Sequence, residues 1–270
     1  MVPLEPHRRE RVILGRRFGQ HFLARKSILD SIASAACGDH TTSTVLEIGA
    51  GRGALTAPLL ERADRVVAIE VDAVLVHYLR QKFREAIDAA RLELIEGDVL
   101  RTDFSAVAGN PVIAGNLPYY ITSPILERVF SLDGAWQRAV FLVQTEVAQR
   151  IAAGPGSRDF GYLSVLVQTH ARAEILFPVG REAFRPQPKV DSAVVRLTPR
   201  DSAAELGVTD VAAFLKFAQH CFRHKRKTLR NNLGAVYGLK EIDAMPEARL
   251  RAEQIGLPEL AALYHKLTHV

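Results

Sequence analysis

Val45-Leu46-Glu47-Ile48-Gly49-Ala50-Gly51-Arg52-Gly53-Ala54 is the stretch on which the fold turns. Four largely apolar residues followed by three alternating glycines describe a buried strand that bends sharply into a helix. Glycine suits that bend because, without a Cβ, the backbone can turn tightly and come close to a ligand. Working outward, strand and helix patterns alternate on both sides. Before it, a helix is expected from Ser27 to about Ala36, with Asp30 in its first turn and Gly38 just past its end. After it, residues 53–62 read as helix, 66–69 as strand, 73–86 as helix and 92–95 as strand. Residues 112–114, 140–143 and 164–169 continue the strands, and 190–197 alternates as an antiparallel strand at the end of the sheet. Such alternation predicts an α/β fold, a mainly parallel sheet with helices on both faces. Sheets of that kind bind ligands at the carboxyl ends of their strands.

The chain has 270 residues, 48% hydrophobic and 24% charged, the mix of an ordinary globular protein with room for one large domain and a small one. Around Thr198-Pro199-Arg200-Asp201 the strand pattern stops, and only helical periodicity follows, broken at 234–238 and near Pro246 and Pro258. The expected division is therefore 1–200 for the α/β domain and 201–270 for a small helical one. Residues 1–26 form a basic leader carrying Arg8, Arg9, Arg11, Arg16, Arg17, Arg25 and Lys26. No apolar run is long enough to span a bilayer, and the leader lacks the apolar stretch of a secretory signal, so a cytoplasmic protein without a membrane partner is expected. Cys37 and Cys221 stand far apart and outside any paired motif, which reads as reduced, inert thiols. The nine histidines show no metal-ligand spacing, and no metal is expected. A net charge of +5 is modest; where the charge sits matters more than its sum.

With Ala54 the glycine turn fits the dinucleotide fingerprint, and Glu70 falls where an acid would bind a ribose hydroxyl. A nicotinamide or flavin enzyme and a methyltransferase both remain open at this point. Glu47 before the first glycine and Asp98 after the third strand favour the second. Acids behind three successive strands suit a cofactor with a ribose, an adenine amine and a cationic methionine end better than a pyrophosphate.

Gly115-Asn116-Leu117-Pro118-Tyr119-Tyr120 closes the fourth strand. The turn matches a definite chemical problem. The lone pair of an aryl amine such as adenine N6 is delocalised into its ring, so the amine attacks poorly unless both N–H groups are held by acceptors. The Asn116 side-chain oxygen can accept one and the Leu117 carbonyl the other. Pro118, with fixed φ and no N–H, stiffens the turn. Tyr119 offers a stacking face worth about 1–3 kcal/mol per base. The same residue types also make ordinary turns. Their place, some 65 residues after the glycine turn and behind two further acid-tipped strands, favours the chemical reading.

At this point the sequence resembles the ribosomal RNA adenine dimethyltransferases, and among them the bacterial small-subunit enzymes. The resemblance rests on Gly19-Gln20-His21-Phe22-Leu23, Glu47-Ile48-Gly49-Ala50-Gly51-Arg52-Gly53, Asn116-Leu117-Pro118-Tyr119, Phe184-Arg185-Pro186-Gln187-Pro188-Lys189-Val190-Asp191-Ser192-Ala193 and Arg226-Lys227-Thr228-Leu229-Arg230-Asn231-Asn232-Leu233. It implies a Rossmann-like class I methyltransferase sheet with a C-terminal helical domain and S-adenosyl-L-methionine as cofactor. It implies dimethylation of N6 on two adjacent adenines in a loop near the 3′ end of small-subunit (16S) rRNA, during ribosome biogenesis. By the same resemblance Gln20, His21, Leu23, Glu47, Gly49, Gly51, Glu70, Asp98, Val99 and Asn116 would form the cofactor site. Asn116, Leu117, Pro118 and Tyr119 would handle the amine, and Phe184 would help sandwich the flipped base. Family members often carry Asn where this chain has His21, and some carry Asn in place of Tyr120. Read without the family, Phe184 is a core aromatic beside the Pro186/Pro188 loop.

A base inside a stacked loop must be flipped out to reach a pocket. On a single helix Arg223, Arg226, Lys227 and Arg230 would share one cationic face for phosphates, while Phe214, Phe217, Cys221 and Leu229 point to the core. The expected partner is small-subunit rRNA within a partly assembled subunit, met by a monomer. Two other functions stay in view: a large-subunit rRNA adenine methyltransferase of the antibiotic-resistance type, and a non-catalytic assembly factor on the same fold.

Overall fold

The structure, a computed structural model, describes residues 21–38, 42–104, 107 and 109–268. Among them the strands are β1 Phe22–Leu23, β2 Thr42–Ile48, β3 Ala63–Glu70, β4 Leu92–Glu96, β5 Val112–Asn116, β6 Arg138–Gln144, β7 Ala171–Val179, β8 Phe184–Arg185 and β9 Ser192–Pro199. The helices are α1 Lys26–Cys37, α2 Thr56–Leu60, α3 Ala73–Lys82, α4 Arg84–Asp88, α5 Thr122–Phe130, α6 Thr145–Ala152, α7 Tyr162–His170, α8 Ser202–Glu205, α9 Val211–Phe222, α10 Leu229–Tyr237, α11 Leu239–Asp243 and α12 Leu257–Thr268.

Seven strands form one sheet in the order β4-β3-β2-β5-β6-β9-β7, and β1 pairs separately with β8, antiparallel. The four contacts among β4, β3, β2, β5 and β6 are all parallel. Their apolar runs are continuous because both faces are covered: Val45, Leu46, Val66, Val112, Ile113, Val140 and Val143 are completely buried. α1 closes one side with Leu29, Ile32, Ala33 and Ala36, packs on β5 and β6, and stops at Gly38, whose φ of +74° lies in the left-handed region open to glycine. Asp72 starts α3 by accepting the Val74 amide hydrogen at 2.9 Å.

Several sequence expectations are corrected. Residues 164–169 are not a strand but the middle of α7. That helix buries Ser164, Val165, Leu166, Val167 and Thr169, so its apolar run has no one-sided period to read. Its start is fixed by Ser164, whose Oγ donates to the Arg150 carbonyl and accepts from the Gly161 amide. The strand that follows, β7, was not anticipated; it occupies the sheet edge, where its Pro178 is tolerated. Consequently β9, expected at the end of the sheet, lies inside it between β6 and β7. The helix expected over 73–86 is two, α3 and α4, meeting at Phe83.

The chain divides into two compact units, Met1–Thr145 with Leu176–Arg196, and Glu146–Ile175 with Leu197–Val270. The second is thus more than the tail after residue 200. Its core joins Ala153, Phe160 and Val165 to Phe214, Phe217, Cys221, Leu229, Leu260 and Tyr264. Among the described residues no helix is long and apolar enough to cross a membrane.

Candidate active site

The parallel strands bring the chemistry-bearing residues to one end of the sheet. Glu47 is the next-to-last residue of β2, Glu70 ends β3, Asp98 follows β4 by two positions, and Asn116 ends β5. A cavity of about 400 Å³ opens there. His21, Leu23, Glu47, Gly49, Gly51, Glu70, Asp98, Val99 and Asn116 line it, together with Leu117, Pro118 and Tyr119. Gln20 lies outside the described residues.

Each acid is held differently. Gly51, at φ +56°, presents its amide hydrogen to Glu70 Oε2 at 2.7 Å, while the Val71 and Asp72 amides donate to Oε1 at 3.0 Å each. Burial raises the Glu70 carboxyl above its ordinary pKa, and those three amides pull it back. Glu47 is 1% exposed and, among the described residues, accepts the Thr56 hydroxyl at 2.6 Å. Burial drives its pKa up to about 7, against the Thr56 hydrogen bond and the charge of Lys82, with the Glu70 charge adding to the rise. Lys82 donates to the Arg52 carbonyl at 2.8 Å, and burial lowers its own pKa. Asp98 Oδ1 accepts the Leu100 amide at 3.0 Å. Thr56 and Lys82 were missed in the sequence because a lone hydroxyl and a lone lysine inside helical patterns carry no motif.

Close approach of β5 to β2 depends on Gly115, since a Cβ there would stand 2.6 Å from the Ile48 carbonyl oxygen. The Asn116–Tyr119 turn follows directly. Asn116 Nδ2 donates to the His21 carbonyl at 3.1 Å. A carbonyl can only accept, so this bond settles which end of the amide points away, and Oδ1 is the end left for a ligand. Leu117 is anchored by its amide to the Leu142 carbonyl at 3.1 Å, and its own carbonyl receives no hydrogen bond from the described residues. Two acceptors therefore stand ready on adjacent residues. Tyr119 lies beside them with its hydroxyl 2.7 Å from Ser192 Oγ and its ring against that of His21, centroids 6.1 Å apart and planes at 26°. Burial raises the phenol pKa, and the Ser192 bond opposes the rise.

Two sequence expectations are not met. Phe184 is fully buried in the core of the first unit, paired through β8 with Leu23, and does not line the cavity. It is the core aromatic that its residue type suggested apart from the family. The single cationic helix face does not form either, because α9 ends at Phe222 and α10 begins at Leu229. Buried Asn232 makes the intervening turn: its Oδ1 accepts from the His224 amide and its Nδ2 donates to the carbonyls of Cys221 and His224. Arg223, Lys225, Arg226 and Lys227 are consequently exposed on a loop. Arg230 sits in α10 and pairs with Asp243 through both its Nε and a terminal nitrogen. The expected core residues Phe214, Phe217, Cys221 and Leu229 are all buried.

A run of parallel strands with acids at three carboxyl ends and an Asn-Leu-Pro-Tyr turn at the fourth defines a Rossmann-like class I methyltransferase, with S-adenosyl-L-methionine as its cofactor. Residues 14–257 match the family model described as ribosomal RNA adenine dimethylase. The chain belongs to that family.

Its relatives agree. It is 45% identical over 263 residues to the ribosomal RNA small subunit methyltransferase A of Acidobacterium capsulatum, covering 93% of this chain and 90% of that one. It is 38% identical to the enzyme of the same name from Chlorobium chlorochromatii, over 98% and 97% of the two chains. Among solved structures it resembles a dimethyladenosine transferase from Plasmodium falciparum, with a TM-score of 0.76 and 26% identity over 90% of this chain and 96% of that one. It also resembles the 23S rRNA methyltransferase ErmE, at TM-score 0.63 and 26% identity over 91% and 99%.

The residues present fit the cofactor. The cavity has the size of an ordinary small-molecule site. Its carboxylates suit hydroxyl and amine donors, and Glu47, with its protonation balanced near neutrality, favours a cationic neighbour over an anionic one.

Proposed function

We propose that the protein methylates N6 of two adjacent adenines in a loop near the 3′ end of small-subunit rRNA, twice on each base, as a step in ribosome biogenesis. The observation that carries this reading is the pair of adjacent acceptors that no described residue occupies, Asn116 Oδ1 and the Leu117 carbonyl, in a chain whose relatives are named for the small subunit.

The cofactor supplies a methyl group on a sulfonium, and the protein positions the nucleophile. The two acceptors hold the N–H hydrogens and draw the amine out of conjugation. The lone pair so localised is the one that would take up the methyl group that bound S-adenosyl-L-methionine supplies. The attacked nitrogen becomes acidic as the bond forms, so its proton passes to water without a strong base. Pro118 keeps the turn stiff, and Tyr119 presents a ring face to the flipped base. His21, Leu23, Glu47, Gly49, Gly51, Glu70, Asp98, Val99 and Asn116 form the cofactor wall, with Gln20 assigned there by the family motif.

Exposed Arg223, Arg226 and Lys227 contact phosphates, which position an RNA without reading its sequence. Arg230, already paired, contributes less than its residue type suggests. A partly assembled small subunit in the cytoplasm, met by a monomer, is the proposed substrate complex.

The test is to incubate the protein with labelled S-adenosyl-L-methionine and undermethylated small subunits, in parallel with large subunits, and to identify the modified nucleoside. Dimethyladenosine from small subunits alone is the expected outcome. Label on large-subunit RNA moves the protein to the resistance-type branch, and no label on either points to an assembly factor.

A further inference from the structure

We propose that Ser192 is a positioning residue for the methyl transfer, aiming the Tyr119 ring through the hydrogen bond between Ser192 Oγ and the Tyr119 hydroxyl. The inference rests on the reading of Tyr119 as the face that meets the target base.

Ser192 opens β9, an interior strand of the sheet, and is 0% exposed. The residue before it is tied down twice. The Asp191 carbonyl accepts the Thr145 amide at 3.0 Å, and Asp191 Oδ1 accepts the Arg181 amide at 3.0 Å. Ser192 Oγ is therefore a fixed point. Its partner among the described residues is the Tyr119 hydroxyl, at 2.7 Å.

Tyrosine needs only two side-chain torsions to be set for its ring to be placed. One end is set by Ser192. One face is set by the His21 ring, itself held by Nδ1 donating to the Pro186 carbonyl at 2.8 Å. The remaining face is the one left for a base. If the ring swung away, the fully buried Ser192 hydroxyl would lose its partner, and an unpaired buried polar group costs more than the bond itself contributes. The buried serine thus turns a mobile aromatic into an oriented wall. An alanine or valine at position 192 would preserve the apolar strand pattern and lose the aim.

The full-length enzyme is assayed on undermethylated small subunits as wild type, Ser192→Ala, Tyr119→Phe and the double variant. Tyr119→Phe breaks the same bond from its partly exposed side, so the proposal stands or falls even if Ser192→Ala folds poorly. Losing one such bond should lower kcat about tenfold in either single variant, with KM for the cofactor close to wild type. The double variant should be no slower than the slower single one, since both changes remove one interaction. Wild-type kcat in the single variants would overturn the proposal, as would losses that multiply in the double variant. Tyr119→Ala at the wild-type rate would instead bring down the reading of Tyr119 itself, whatever Ser192→Ala does.

Discussion

Asn116 is the residue on which the proposed chemistry rests, and one hydrogen bond, to the His21 carbonyl, settles which way its amide faces. Asn116→Ala should leave cofactor affinity within a few-fold, measured calorimetrically, while turnover falls about 10²–10³-fold, the usual loss when one polar group aimed at the transition state is removed. Near-wild-type methylation by that variant would refute its role. Glu47 gives a second, pH-dependent outcome. Its folded-state pKa of about 7 lies above the ordinary carboxylate value, so between about 4.5 and 7 the native state holds a proton that the unfolded chain has released. Stability contributed at this position is therefore present at low pH and lost as the pH rises through that window. Glu47→Gln can still accept from Thr56 and carries no charge to bury. In thermal melts of cofactor-free protein its Tm should match wild type near pH 4.5, rise above it by pH 7 and hold that lead beyond. A constant difference across the range would contradict the assignment.

At the scale of elements, the segment around Arg226 separates a residue-type signal from a geometric one. Its charge was legible because five Lys/Arg without an acid need no structure to be counted. Its shape was not, because Asn232 bonds to residues 221 and 224 and breaks a run that propensity alone would continue as helix. Asn232→Ala leaves the buried Cys221 carbonyl and the His224 backbone short of partners. It should destabilise the protein by about 1–3 kcal/mol in denaturant titrations. Charge reversal of Arg226 and Lys227 to Glu should instead leave stability nearly unchanged, weaken RNA binding and flatten its dependence on salt, since fewer counterions are released. An unchanged salt slope would mean that these cations are merely solvated. The α7 region shows the same limit: an apolar run buried on all sides has no period, and its helix is marked only once it has folded, by bonds such as those of Ser164 at its start.

For the whole molecule, the second unit is assembled from two separated pieces of chain. Phe160 and Val165 come from the first piece and pack with Phe214 and Phe217 from the other. A fragment of residues 201–270, the division that the end of the strand pattern suggests, would lack that part of its core. It should show no cooperative thermal transition by circular dichroism and should bind a hydrophobic dye. A sharp transition from that fragment would show that the missing pieces contribute little.

What the sequence determined by itself was whatever depends on local order. A buried strand must be apolar, a tight turn needs glycine, and a parallel sheet puts strand ends on one side, so Glu47, Glu70, Asp98 and Asn116 could be placed together from their spacing. Tertiary structure alone decided how those groups are held and which aromatic faces the cavity. Ser192 reaches Tyr119 across 73 positions and His21 reaches Asn116 across 95, while Phe184 is drawn into the core instead. No spacing rule encodes such contacts, because which side chain is buried, and what it then bonds to, is set only when distant strands pack against each other.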